Sequence, residues 1–237
     1  MNDKITKTSQ NDSLTQTPSR KATQMPRLHA NLSQAAKQQE NLNPATLPNR
    51  IALCLDISGS MYSEENGKQK IEHLKDACTS FVNSCNFTDT AVGIETFPSE
   101  VSQQLTTIGG YLISRILTMN GGGATPMSAA MEVILMQHSV TRVVVVSDEE
   151  ATDGPCSYDV AEKFAEAQVP CDTVHIGHEA SGEARLKQIA EMTGGIFIKF
   201  DNVANFAKNF KFLAPAFRAM LTSGSVGVEA LGAKEVK

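Results

Sequence analysis

Apolar residues in this chain fall into short blocks whose spacing alternates between continuous runs and helical stripes. Residues 51–55 (Ile-Ala-Leu-Cys-Leu) form an unbroken apolar run that stops at Asp56, the pattern of a central strand covered on both faces. Over 69–86, Ile71, Leu74, Cys78, Phe81, Val82 and Cys85 recur three and four residues apart for the most part, which predicts a helix with one buried stripe. Segments 91–97 and 101–105 predict two strands, and the short Pro-containing turn between them requires an antiparallel pair. A helix near 110–118 precedes the glycine loop 120–126, and 127–138 reads as another helix. Four consecutive valines within 142–147 mark the clearest buried strand. Helices near 158–168 and 183–193 flank a strand at 172–177, and 195–200 is a last strand. Val203, Phe206, Phe210, Leu213, Phe217 and Met220 form a final helical stripe, with a kink or two short helices expected at Pro215.

Strands alternating with helices predict an α/β fold: a Rossmann-like, doubly wound, mostly parallel six-stranded sheet with one antiparallel edge strand and helices on both faces. In such sheets ligands bind beyond the carboxyl ends of the strands, where strand order reverses. The chemistry is therefore expected just after Leu55 and just after Ser147, and an aspartate stands at each place.

Outside 50–221 the pattern is lost. Residues 1–49 are rich in Ser, Thr, Gln, Asn and Pro, with too few apolar side chains to offset chain entropy, so a disordered tail is expected. Within it, 31–41 has the composition of a short helix that could form on a partner. Residues 222–237 read as a flexible tail. No apolar run approaches the roughly 18 residues of a membrane span. The first apolar cluster begins only at Ile51, so no signal peptide is expected.

Five cysteines without C-x-x-C spacing argue against a disulfide framework and for a reducing compartment, hence a cytoplasmic location. The net charge of -5 divides unevenly. Residues 1–49 carry six Lys or Arg against three Asp or Glu, whereas 50–221 carry thirteen against twenty-one. So acidic a domain is a poor match for a phosphate backbone, and nucleic acid is not the expected partner.

The candidate chemistry lies in three segments. Asp56-Ile-Ser58-Gly-Ser60 leaves the first strand as D-x-S-x-S, and alternate residues of an extended chain project to one side, so a carboxylate and two hydroxyls can converge. Thr125 ends a loop of three glycines, and Asp148 ends the valine strand. All five residues offer hard oxygen ligands, suited to Mg²⁺, with Mn²⁺ or Ca²⁺ as alternatives, rather than to zinc or copper. Two carboxylates balance a dication and three hydroxyls add ligation without charge. Mg²⁺ takes about six oxygens, which leaves a position for water or an incoming carboxylate.

These segments resemble the von Willebrand factor type A domain family over about residues 50–221. Its metal-ion-dependent adhesion site is D-x-S-x-S, then a distant Thr, then a distant Asp. Asp56, Ser58 and Ser60 match the first part, Gly-Ala-Thr125-Pro-Met resembles the Thr loop, and Asp148 falls where the family places its last aspartate. The resemblance implies a non-enzymatic protein-binding module in which a partner's Asp or Glu completes the coordination of the metal. Among intracellular relatives it implies adaptors or regulatory subunits of AAA+ ATPases, chelatase-like assemblies or stress-response complexes. One departure stands: family members often show Thr-Asp-Gly here, whereas Asp148-Glu149-Glu150 follows the strand and Thr152-Asp153-Gly154 comes later, so Asp153 is the alternative last ligand.

Competing readings remain open at this level. Ser58, Ser60 and Thr125 are also ordinary turn and helix-cap residues. Cys171, His175 and His178 hint at a soft-metal cluster, although zinc needs four ligands. The acidic residues Glu64, Glu65, Glu149, Glu150 and Asp153 would favour a partner that brings basic side chains, if they rim the site. A Mg²⁺-dependent phosphohydrolase with Asp56 as nucleophile is the competing enzymatic class, but position 58 holds Ser where an acid/base group is wanted, and His73 lies on a predicted helix.

Overall fold

A computed structural model describes residues 42–65, 67–137, 139–148, 156–200 and 202–213. The apolar blocks form a six-stranded sheet in the order β5-β4-β1-β6-β7-β8. These strands are β1 (Asn49–Asp56), β4 (Thr90–Phe97), β5 (Ser102–Thr106), β6 (Arg142–Ser147), β7 (Cys171–Ile176) and β8 (Phe197–Phe200). All neighbours are parallel except β4 and β5, so β5 is an antiparallel edge strand. Two-residue strands β2 (Glu64–Glu65) and β3 (Lys68–Gln69) make a small separate hairpin that no period-2 pattern announced.

Alternation along β1 explains its continuous hydrophobicity. Ile51, Leu53 and Leu55 enter one core with α1 (Lys70–Ser84), α2 (Gly109–Leu117) and Phe206 of α6 (Val203–Asn209). Ala52 and Cys54 enter the other with α3 (Met127–Gln137), α4 (Cys156–Glu166) and α5 (Ala180–Thr193). Among the described residues, each face of the sheet is thus covered by three helices. From Ile51 to Leu55 the strand is apolar throughout because these residues are buried on both faces.

The helices follow their stripes. In α1, Ile71, Leu74, Cys78, Phe81 and Val82 are buried, and the helix stops at Cys85, whose backbone is extended (ψ 141). Helix α5 ends at Gly194, whose φ of +71 closes the last turn at little cost for a residue without Cβ. The C-terminal stripe buries Phe206, Phe210 and Leu213, and the Phe210 ring packs at a tilt against Phe81 (5.2 Å) and Phe206 (4.7 Å). Helix α6 gives way to a 3₁₀ turn at Phe210–Phe212, and the kink expected at Pro215 lies outside the described residues. Upstream, a 3₁₀ turn at Pro44–Thr46 and the buried Leu47 carry packed chain to before Arg50; residues 1–41 and 214–237 lie outside the description.

At the amino ends of β6 and β7, away from the strand-end aspartates, a buried ion pair ties the sheet together. Arg142 Nη1 donates to both oxygens of Asp172 (2.7 and 2.5 Å), and the Ile196 amide donates to Asp172 Oδ1 at 2.9 Å. Both residues are buried, so removing the carboxylate strands a guanidinium charge that water cannot reach. Asp172→Ala is expected to lower unfolding free energy by about 3–5 kcal/mol, seen in urea titrations as a lower midpoint at unchanged slope. A loss below about 1 kcal/mol would show that the pair is dispensable.

Candidate functional site

The order β4-β1-β6 places the reversal of winding between β1 and β6. From β1 the chain winds toward β4 and β5, and from β6 it winds toward β7 and β8. The carboxyl ends of β1 and β6 therefore open a crevice at the switch point. Asp56 is the last residue of β1, and Asp148 directly follows β6.

A continuous run of polar contacts fills this crevice. Ser147 Oγ donates to Asp56 Oδ2 at 2.5 Å, and the Ser58 backbone N–H donates to Asp56 Oδ1 at 2.8 Å. Ser58 Oγ and Ser60 Oγ lie 3.0 Å apart, and Ser60 Oγ donates to Asp148 Oδ1 at 2.8 Å. The other Asp148 oxygen accepts from Lys70 Nζ at 2.5 Å. The structure thus brings together four of the five expected residues, although 88 positions separate Ser60 from Asp148.

The 3₁₀ turn Gly59–Tyr62 makes this possible, because the buried Ile57 and Met61 anchor it in the core and leave Ser58 and Ser60 facing the strand ends. Asp56 and Ser58 have no solvent exposure. Burial pushes the Asp56 carboxyl up to about 7; the Ser147 and Ser58 hydrogen bonds oppose that effect and the Asp148 charge adds to it.

The fifth residue, Thr125, is fully buried at the end of the glycine loop. That loop is docked onto the D-x-S-x-S segment by backbone: the Gly122 N–H donates to Ile57 O at 2.6 Å, and the Gly59 N–H donates to Gly123 O at 3.0 Å. Gly121 has φ +76, and a Cβ there would lie 2.2 Å from Ile57 O, so only glycine permits this approach. Glu100 holds the loop from its other side, accepting from the Asn120 and Gly121 amides at 3.1 and 2.7 Å. Tyr62 closes the rim, its hydroxyl donating to Gly121 O at 2.9 Å.

Glu100, Ser147, Lys70 and Tyr62 were not singled out from sequence as site residues. Ser147 had a usable signal, since strand alternation puts it on the same face as Val143 and Val145, beside Asp56. Lys70 and Glu100 had none, because 78 and 20 positions separate them from Asp148 and Asn120, which they contact. Glu64 is exposed and Glu65 half-buried in the small hairpin, while Glu149, Glu150 and Asp153 lie outside the described residues. So does the choice between Asp148 and Asp153.

A hard divalent cation fits this donor set: two carboxylates neutralise it, and hydroxyl oxygens surround them. A soft-metal cluster has no support here. Among the described residues no group of three or more His, Cys, Asp and Glu side chains is placed to hold a metal. Cys171 and His175 stand four positions apart on β7, about 13 Å along an extended chain. His178 is exposed, whereas burial holds the His175 imidazole below its usual pKa.

The family model described as the von Willebrand factor type A domain matches residues 51–150, the span from β1 through Asp148. Over that span this chain is similar to von Willebrand factor type A domains. Domains of this family are generally protein-interaction modules. Solved structures with the same fold include the protein BatB from Bacteroides thetaiotaomicron (17% identity, TM-score 0.60, 74% of this chain and 100% of that one). An aerotolerance-related membrane protein from Bacteroides fragilis is comparable (18%, 0.58, 71% and 99%). The SpRpn10 VWA domain aligns with 14% identity and a TM-score of 0.56, over 67% of this chain and 93% of that one. No curated protein matches the chain. Among the described residues no helix is long and apolar enough to cross a membrane.

The glycine loop of this domain is expected to be as important as the strand-end aspartates. Gly121→Ala should cost about 1–3 kcal/mol and shift the loop off Ile57. Thermal unfolding with and without Mg²⁺ checks this: the variant should melt lower and lose any Mg²⁺-dependent rise shown by the parent. An unchanged melting temperature would mean that the loop accommodates a Cβ freely.

Proposed function

We propose that this von Willebrand factor type A domain is a metal-dependent protein-interaction module. Asp56, Ser58, Ser60, Thr125 and Asp148 would hold one Mg²⁺, with Mn²⁺ or Ca²⁺ able to serve, and a partner's Asp or Glu would complete the coordination. The observation that carries this reading is the hydrogen-bonded run from Asp56 through Ser58 and Ser60 to Asp148 at the switch point. It gathers two carboxylates and two hydroxyls from segments far apart in sequence, with a buried threonine at the end of the docked loop. Five side-chain donors fall short of the roughly six oxygens that Mg²⁺ takes, so a ligand position is left to a partner.

Asp56 as a phosphohydrolase nucleophile draws no support from the geometry. Both its oxygens accept hydrogen bonds. His73, the imidazole considered from sequence, contacts the Glu65 carbonyl instead, with its Nε2 3.3 Å away.

The wider role we propose is that of an adaptor or regulatory subunit in an intracellular complex, of the AAA+ ATPase or stress-response type. The aerotolerance-related description of one structural neighbour is in keeping with the latter. Cys78, Cys85 and Cys171 are free thiols, which fits a reducing, cytoplasmic setting.

Affinity capture on the immobilised full chain tests the metal dependence. In Mg²⁺ the chain should retain a specific partner that EDTA releases and that Asp56→Ala and Asp148→Ala chains fail to retain. A partner held equally in EDTA and by both variants would sink the reading.

A further inference from the structure

Asp148 has two carboxylate oxygens and both are engaged, one by Ser60 and the other by the ammonium of Lys70. The pair is asymmetric. The Asp148 side chain is 1% exposed and cannot turn away, whereas Lys70 is 21% exposed and reaches the crevice from the solvent side. Lys70 is the first residue of α1, and its backbone N–H donates to Ser63 O at 3.1 Å, which fixes the root of the side chain beside the D-x-S-x-S turn. A cation at a helix N-terminus opposes the macrodipole, so this ammonium gains from the helix nothing that would hold it there. Its partner is Asp148. The neighbouring lysines have partners of their own: Lys68 contacts Asp76, and Lys75 contacts Glu72 at 2.8 Å.

We propose that Lys70 is a built-in competitor for the cation site, an intramolecular ammonium that must yield when a divalent metal takes Asp148. This rests on the metal-site reading above. Two routes lead to the same cost. If the ammonium stays, it repels a dication at close range; if it swings into water, the buried Asp148 loses its ion pair before the metal arrives. Even with water-like screening, repulsion between a unit charge and a dication near 4 Å corresponds to about tenfold or more in affinity. Lys70 thereby sets the metal concentration at which the module becomes competent to bind.

Calorimetric titration of the full chain with MgCl₂ and with MnCl₂ tests this, using Lys70→Met, Lys70→Gln and the control Lys75→Met. Circular dichroism checks that each variant is folded; two different replacements at 70 guard against a local defect in either. Both Lys70 variants should bind the metal about tenfold or more tightly than the parent, while Lys75→Met should match the parent. Equal or weaker binding by the Lys70 variants, with the parent binding metal, would overturn the competitor role and leave the metal site standing. The same gain in Lys75→Met would reduce the effect to general charge and also overturn it. Absence of binding in every protein would overturn the metal-site reading and this inference with it.

Discussion

Two carboxylates placed at adjacent strand ends, in a crevice that water barely enters, are the constraint around which the rest of this domain is arranged. Asp56 is wholly buried and Asp148 nearly so, and the charge of one raises the proton affinity of the other. Isolated, such a pair would be costly to fold. The structure offsets the cost with hydroxyls, a backbone amide and one ammonium, drawn from three segments of the chain. The β1–β6 adjacency supplies the carboxylates, the 3₁₀ turn supplies Ser58 and Ser60, and helix α1 supplies Lys70. The same arrangement that makes the carboxylates expensive would give the crevice the cation affinity we propose.

Holding this arrangement requires loops as rigid as the sheet. The Gly121–Gly123 backbone lies directly on Ile57 and Gly59, and Glu100 grips the loop's amides from the β4–β5 connection. The glycine loop is thus fixed between two other segments, and Thr125 is carried to its buried place by backbone contacts before any ligand is involved. This is why the loop's composition, with three successive glycines at positive φ, belongs to the site as much as its polar residues do.

Much of this was legible in the sequence, for identifiable reasons. Strands buried on both faces leave continuous apolar runs, so β1 and β6 were visible, and the valines of β6 fixed its ends at residues 142 and 147. Helix α1 was visible from its stripe. The mini-hairpin β2–β3 was not, because two-residue strands with polar side chains carry no period. Helix α6 gives way to a 3₁₀ turn at Phe210–Phe212, which the apolar stripe does not distinguish from continuous helix. Within the site, Asp56, Ser58 and Ser60 were legible because they share one short motif at a strand end. Lys70 and Glu100 were not, since only tertiary structure joins them to their partners.

The chain shares its fold with von Willebrand factor type A structures, and the polar crevice at the switch point is where we propose that its chemistry lies. Crystals of the full chain grown with MnCl₂ and measured for manganese anomalous scattering test the central claim most directly. The account predicts one strong peak enclosed by the side-chain oxygens of Asp56, Ser58, Ser60, Thr125 and Asp148, with Lys70 withdrawn from Asp148. A crevice free of manganese with the Lys70–Asp148 pair intact, or a peak confined to other carboxylates, would contradict it.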